Sequence, residues 1–167
     1  MSRDDHDPTQ QFSTSSRVEL IDAIVSHFHE QQYDQMDVLS EKLFEVQKTH
    51  GARWDDLVGR IRPIWEELVR QLSSHFRREE TILFPLLSVP DDEIPPLDGP
   101  IADIIEEHVQ EAALLQRLYD VTGGYVVPSD ACELTRDLMM GLADFDASVR
   151  RHIAVEDRLL FEPLRSN

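Results

Sequence analysis

His75-Phe76-Arg77-Arg78-Glu79-Glu80-Thr81-Ile82-Leu83-Phe84 returns later in the chain as His152-Ile153-Ala154-Val155-Glu156-Asp157-Arg158-Leu159-Leu160-Phe161. The shared pattern is H-x3-E-[ED]-x2-L-F, followed closely in each copy by a proline, Pro85 or Pro163. Residues four apart on an α-helix stand one above the other on one face. Each copy therefore points an imidazole and a carboxylate the same way, about 6 Å apart along the axis. Two such faces turned towards each other make a site for two metal ions.

Outward from these phrases, the apolar spacing predicts four helices. Ser16-x-x-Glu19 is a capping-box signature, and Val25, His29, Gln32, Met36, Leu39, Leu43 and Val46 then step by three and four until Gly51. A second helix from about Asp55 to Phe84 carries Ile61, Ile64, Leu68, Leu72, His75, Glu79, Ile82 and Leu86 in step, with Pro63 near a kink or restart. Residues 88–100, rich in Pro and Asp, read as a loop. The third helix places Ile101, Ile104, His108, Ala112, Leu115 and Tyr119 on one stripe and ends at Gly123-Gly124. A second capping box, Asp130-x-x-Glu133, opens the fourth, whose stripe is Leu134, Leu138, Phe145, Val149, His152, Glu156 and Leu159. Short links between four such helices imply an all-α, up-down-up-down four-helix bundle over residues 16–167. Residues 1–15, polar and including His6, read as a disordered tail.

His29, His75, His108 and His152 fall on the buried stripes, one per helix. His29 and His75 each lie 23 residues from a turn centred on Ala52, so antiparallel neighbours bring them to one level. His75 and His108 flank the second loop almost evenly, whereas His152 matches only if the fourth helix starts late. The second and fourth helices run parallel, so Glu79 and Glu156 are displaced from their histidines in the same direction and can meet across the bundle axis. Each hairpin supplies one lone His and one His-x3-Glu, a pseudo-two-fold set. Imidazole with carboxylate suits Fe and Mn among other ions. Six such side chains leave coordination positions open on a pair of iron-sized ions. The rival reading is His–Glu ion pairing within each helix, without metal. Against it stand two inward carboxylates whose burial is costly without compensation. His27 lies about 200° around the helix from His29 and points away. His50 lies far from the level of His29. Glu107 and Glu111 flank His108, as outer partners of the site or as a solvated helix face.

Composition narrows the partners. The chain of 167 residues has 33 acidic and 16 basic side chains, a net charge of −17. Nucleic acid and anionic membrane surfaces would repel it. One cysteine, Cys132, precludes an internal disulfide and a cysteine-held Fe–S cluster. With no leader-like segment and no long apolar run, a cytoplasmic location is expected.

Leu20-Ile21-Asp22 through Phe28-His29, Leu72-Ser73-Ser74-His75, Ile82-Leu83-Phe84-Pro85, Glu107-His108 and Pro128 to Cys132 resemble the hemerythrin-like (HHE cation-binding) family. The likeness covers about Val18 to Leu164 and is closest to the di-iron domain of bacterial iron–sulfur cluster repair proteins. It implies a non-haem di-iron centre, oxo- or hydroxo-bridged, with His29, His75, His108 and His152 as terminal ligands and Glu79 and Glu156 as bridges. Two positions depart from the family. Ala112 stands where oxygen-carrying hemerythrins place a further histidine, and no cysteine precedes Cys132, whereas repair proteins commonly carry an N-terminal domain with adjacent cysteines. The resemblance implies a role in nitrosative or oxidative stress: binding or reducing NO, handling peroxide, or repairing damaged Fe–S proteins. A reversible O2 or NO sensor or carrier without turnover, and iron storage or transfer, stand as alternatives using the same ligands.

Overall fold

A computed structural model describes residues 9–50 and 55–165. Four long helices dominate, and there is no strand among the described residues. Helix α1 (residues 17–50) runs as Arg17–Ile24, a π-helical turn Val25–His29, and Glu30–His50. Helix α2 (55–87) runs as Asp55–Arg78, a π turn Glu79–Leu83, and Phe84–Leu87. Helix α3 is Asp98–Val121, and α4 (133–165) runs as Glu133–Val155, a π turn Glu156–Phe161, and Glu162–Arg165. The arrangement is the expected four-helix bundle, with α2 packed most extensively on α3 and α1 on α4. The Gly51 stop, the turn around Ala52 and His6 lie outside the described residues.

Local chemistry fixes the ends. Ser16 caps α1 with both halves of its box formed: its hydroxyl accepts from the Glu19 amide, and the Glu19 carboxylate accepts from the Ser16 amide at 2.8 Å. Arg17 then ties that end to the second loop, donating to the carbonyls of Leu87 at 2.6 Å and Val89 at 2.9 Å. Pro63 lies inside Asp55–Arg78 rather than at a restart. Pro100 falls in the first turn of α3, where a missing N–H is harmless.

Three expectations need correction. The expected disordered tail does not extend through residues 9–15: Gln10–Phe12 forms a 3-10 turn, and Phe12 is buried against Phe28. The helix start expected at Asp130 is displaced. A turn closed by the Ala131 amide on the Pro128 carbonyl holds Asp130, so α4 begins at Glu133 with Cys132 as its cap residue. The stripes also slip. Leu83 and Leu87 are buried on α2, whereas Ile82 is 57% exposed and Leu86 37%. Each π turn inserts one residue into the helical repeat, so the buried face advances by one position beyond Glu79. The same slip on α4 buries Leu160 and Phe161 instead of Leu159.

The apolar core is divided in two. One cluster gathers Leu39, Leu43, Ile61, Trp65, Leu68, Leu115, Leu142 and Phe145. The other gathers Ile21, Ile24, Phe28, Leu87, Ile101, Ile104, Val155 and Phe161. The histidine level lies between them along every helix, so two apolar layers enclose a polar one. No helix among the described residues is long and apolar enough to cross a membrane.

Candidate metal centre

All six side chains singled out by sequence meet in that middle layer. His29, Glu79 and Glu156 are fully buried, and His75, His108 and His152 are at most 2% exposed. They divide into two overlapping quartets: His29, Glu79, His152 and Glu156, and His75, Glu79, His108 and Glu156, with the ligand atoms of each within 4.8 Å of one another. Glu79 and Glu156 belong to both. The quartets take their histidines from the tightly packed helix pairs, α1 with α4 and α2 with α3, rather than from the α1–α2 and α3–α4 hairpins.

The distances have the spacing of a coordination shell. His75 Nε2 is 3.2 Å from Glu79 Oε2, His108 Nε2 is 3.1 Å from Glu156 Oε2, and His152 Nε2 is 2.9 Å from Glu156 Oε1. The Nε2 atoms of His29 and His152 stand 3.2 Å apart. Adjacent ligands on bonds of about 2.1 Å to an octahedral ion are about 3 Å apart. As hydrogen bonds the His–Glu contacts fail: both oxygens of Glu79 and of Glu156, with Nε2 of His75 and of His108, are buried without a hydrogen-bond partner. Polar atoms orphaned in this way are rare in folded proteins. Here they converge on common points, an arrangement that fits metal ions.

Without an ion, protons balance the charge. Burial disfavours a charged His29, but Glu156 and Glu79 outweigh it and hold the ring up at about 9. Burial acts likewise on His108, and Asp157 and Glu156 raise it to about 9. His75 is raised well above its ordinary value against burial, by Glu79 and Glu107, whereas burial holds His152 below it. Burial pushes the Glu79 and Glu156 carboxyls upward, yet the surrounding imidazoles keep both below the usual carboxylate range.

Each Nδ1 is also engaged, so each Nε2 faces inward. His29 Nδ1 meets Glu80 Oε1 at 2.7 Å, and His108 Nδ1 meets Asp157 Oδ1 at 2.8 Å. His75 Nδ1 meets Glu107 Oε2 at 3.1 Å, and His152 Nδ1 meets the amide oxygen of Gln32 at 3.1 Å. Such partners fix the tautomer and strengthen the ligand. Every part of the repeated phrase now has a place. Its histidine and first acid line the centre, and its second acid, Glu80 or Asp157, holds the lone histidine of the adjacent helix. Its final Phe84 or Phe161 stacks on that same lone ring, with centroids 5.8 Å from His29 and 6.2 Å from His108.

Sequence reasoning assigned no part to Glu80, Asp157 or Gln32, although the acid pair stood in the quoted pattern. Glu107 and Glu111 face His75, not His108, and they do not form a solvated face. Glu111 is 1% exposed, with Oε1 3.5 Å from His75 Nδ1, and burial lifts its carboxyl to about 7. Their spacing of four, one residue before and three after His108, places both on the α2 side of α3. With Gln71, Ser74 and Arg78 they line a polar cleft of about 200 Å³ beside His75. His27 is exposed, as its phase required.

The hemerythrin HHE cation-binding domain matches residues 20–164, most of the chain. The chain belongs to the hemerythrin HHE family. Relatives include a probable iron–sulfur cluster repair protein of Haemophilus influenzae, 28% identical over 150 residues that cover 90% of this chain and 66% of that protein. The iron–sulfur cluster repair protein YtfE of Edwardsiella ictaluri is 29% identical over 143 residues, covering 86% of this chain and 63% of its own. The chain thus spans a little under two thirds of the length of these relatives. The matched domain is a cation-binding one, and the buried His/Glu quartets are the metal-capable groups among the described residues.

Proposed function

We propose that this HHE domain holds two iron ions and acts in nitrosative or oxidative stress, binding or reducing NO and helping repair damaged iron–sulfur proteins in the cytoplasm. One observation carries the reading: two His2Glu2 quartets share Glu79 and Glu156, in a buried layer where all four carboxylate oxygens and Nε2 of His75 and His108 have no hydrogen-bond partner. Iron would supply open coordination positions and a one-electron couple suited to NO, O2 or peroxide.

The chain supplies the rest. Glu79 and Glu156 would hold both ions, because each carboxylate belongs to both quartets. Glu80, Asp157, Glu107 and Gln32 hold the Nδ1 protons, leaving the inward nitrogens free to ligate. Phe28, Phe76, Phe84 and Phe161 wall the layer from water. Phe28 stacks on His152 with centroids 5.1 Å apart, and Phe76 stacks on His29 at 4.2 Å. Ala112, one turn beyond His108, offers no ligand atom, which favours small-molecule chemistry over simple oxygen carriage. Likeness to the cluster repair proteins supports the choice of partner.

The test begins with elemental analysis and visible spectra of anaerobically purified protein. About two irons per chain are expected, followed by NO consumption or recovery of a nitrosylated iron–sulfur enzyme in the reduced state. Zinc, or no metal after iron reconstitution, overturns the centre. Inactivity of the iron-loaded protein in both assays overturns the role.

A further inference from the structure

The two metal positions are not equivalent in what backs their histidines. Three of the four Nδ1 atoms face carboxylates: Glu80 behind His29, Glu107 behind His75, Asp157 behind His108. His152 alone has a neutral partner, the amide of Gln32. Gln32 is fully buried, and its own amide nitrogen donates to Ser148 Oγ at 3.0 Å. That bond keeps the carbonyl turned to the ring. At the other end the Glu111 carboxyl also lies 3.5 Å from His75 Nδ1. Arg78 pairs with Glu107 and offsets part of its charge, but nothing comparable is bonded to the Glu111 oxygens.

A carboxylate behind a ligating imidazole raises its basicity, and losing such a partner typically costs about ten- to a hundredfold in metal affinity. The α2–α3 position, between His75 and His108, has every imidazole so reinforced. The α1–α4 position, between His29 and His152, has one reinforced and one backed only by an amide. We infer that Gln32 makes the His29/His152 position the weaker of the two, filled second and vacated first, so that one ion is retained while its neighbour exchanges. This rests on the two-ion reading above and deepens it. A labile ion beside a fixed one suits a centre that gives up or takes in a ferrous ion without dismantling itself.

Metal-free full-length chain, titrated anaerobically with ferrous ion against a competing chelator, should bind two ions in separate steps about ten- to a hundredfold apart. Anomalous diffraction from crystals loaded with one equivalent should place the ion between His75 and His108. Gln32→Glu should narrow the gap by strengthening the second step, and Asp157→Asn should narrow it by weakening the first, so either folded variant suffices. Two equal steps, or a single ion found between His29 and His152, overturn the asymmetry while leaving the centre intact. Failure of the wild-type chain to bind two ions removes the centre itself, and this inference with it.

Discussion

Glu79 and Glu80, neighbours in sequence, hold the His29 ring from opposite sides: Glu79 Oε2 is 3.4 Å from Nε2 and Glu80 Oε1 is 2.7 Å from Nδ1. An ordinary α-helix turns consecutive side chains 100° apart. The π turn that begins at Glu79 is wider and carries less rotation per residue. It lets two adjacent acids serve one imidazole on the next helix. Glu79 then faces the centre, and Glu80, about one-third exposed, supports from outside. Replacing Glu80 with Gln keeps an acceptor but removes the charge, so ferrous affinity should fall by about tenfold or more. Glu80→Ala should lose more, because the tautomer is then unfixed. Chelator competition on both variants measures the order, and equal affinities would show that Glu80 is merely a surface acid.

Metal removal should leave a protein stabilised by protons. His29 and His108 are raised from an ordinary 6.5 to about 9 in the metal-free fold. A group with a raised folded-state value stabilises fully below its unfolded value and loses that contribution as pH passes the folded one. The melting temperature of chelator-treated protein should therefore fall as pH rises from about 6.5 to about 9. The iron-loaded protein should show no such fall, because the ions take the place of those protons. Ferrous affinity should rise over the same range, since binding must expel them. Differential scanning calorimetry across the window checks both, and parallel curves for the two forms would contradict the assignment.

The four helices, the level of the four histidines and the inward direction of Glu79 and Glu156 could be read from spacing, because helical geometry dictates them up to the first π turn of each stripe. The π turns could not be read in the same way, since no residue type demands one. Their trace was a phase slip: His75, Glu79, Leu83 and Leu87 step by four throughout, where a regular stripe alternates three and four. Taking Ile82 and Leu86 as the core followed the regular repeat and missed the inserted residue. Gln32 was placed on the buried stripe, but its bond to His152 joins residues 120 apart in sequence, which no local pattern encodes. The slip is testable by truncation. Leu83→Ala, at a 4% exposed position, should cost about 2–5 kcal/mol. Ile82→Ala should stay within about 0.5 kcal/mol. Chemical denaturation gives both values, and a reversed order would restore the uninterrupted helix.

Phe76 follows directly after His75, a ligand of the proposed centre, and contacts three of the four rings. It stacks on His29 at 4.2 Å, lies 5.4 Å from His152, and meets His75 edge-on at 5.8 Å. At 1% exposure it also closes the polar layer against the larger apolar cluster. Two effects separate on substitution. Phe76→Ala leaves a void and should destabilise the fold by about 3–5 kcal/mol. Phe76→Leu retains most of the apolar volume but removes the flat face that holds His29. Its stability should be nearly kept, while iron is lost to chelator faster than from the wild type. Stopped-flow iron release from the leucine variant decides the point. An unchanged rate would make Phe76 a packing residue alone, and would leave retention of the ions to Glu80, Asp157 and the carboxylates they flank.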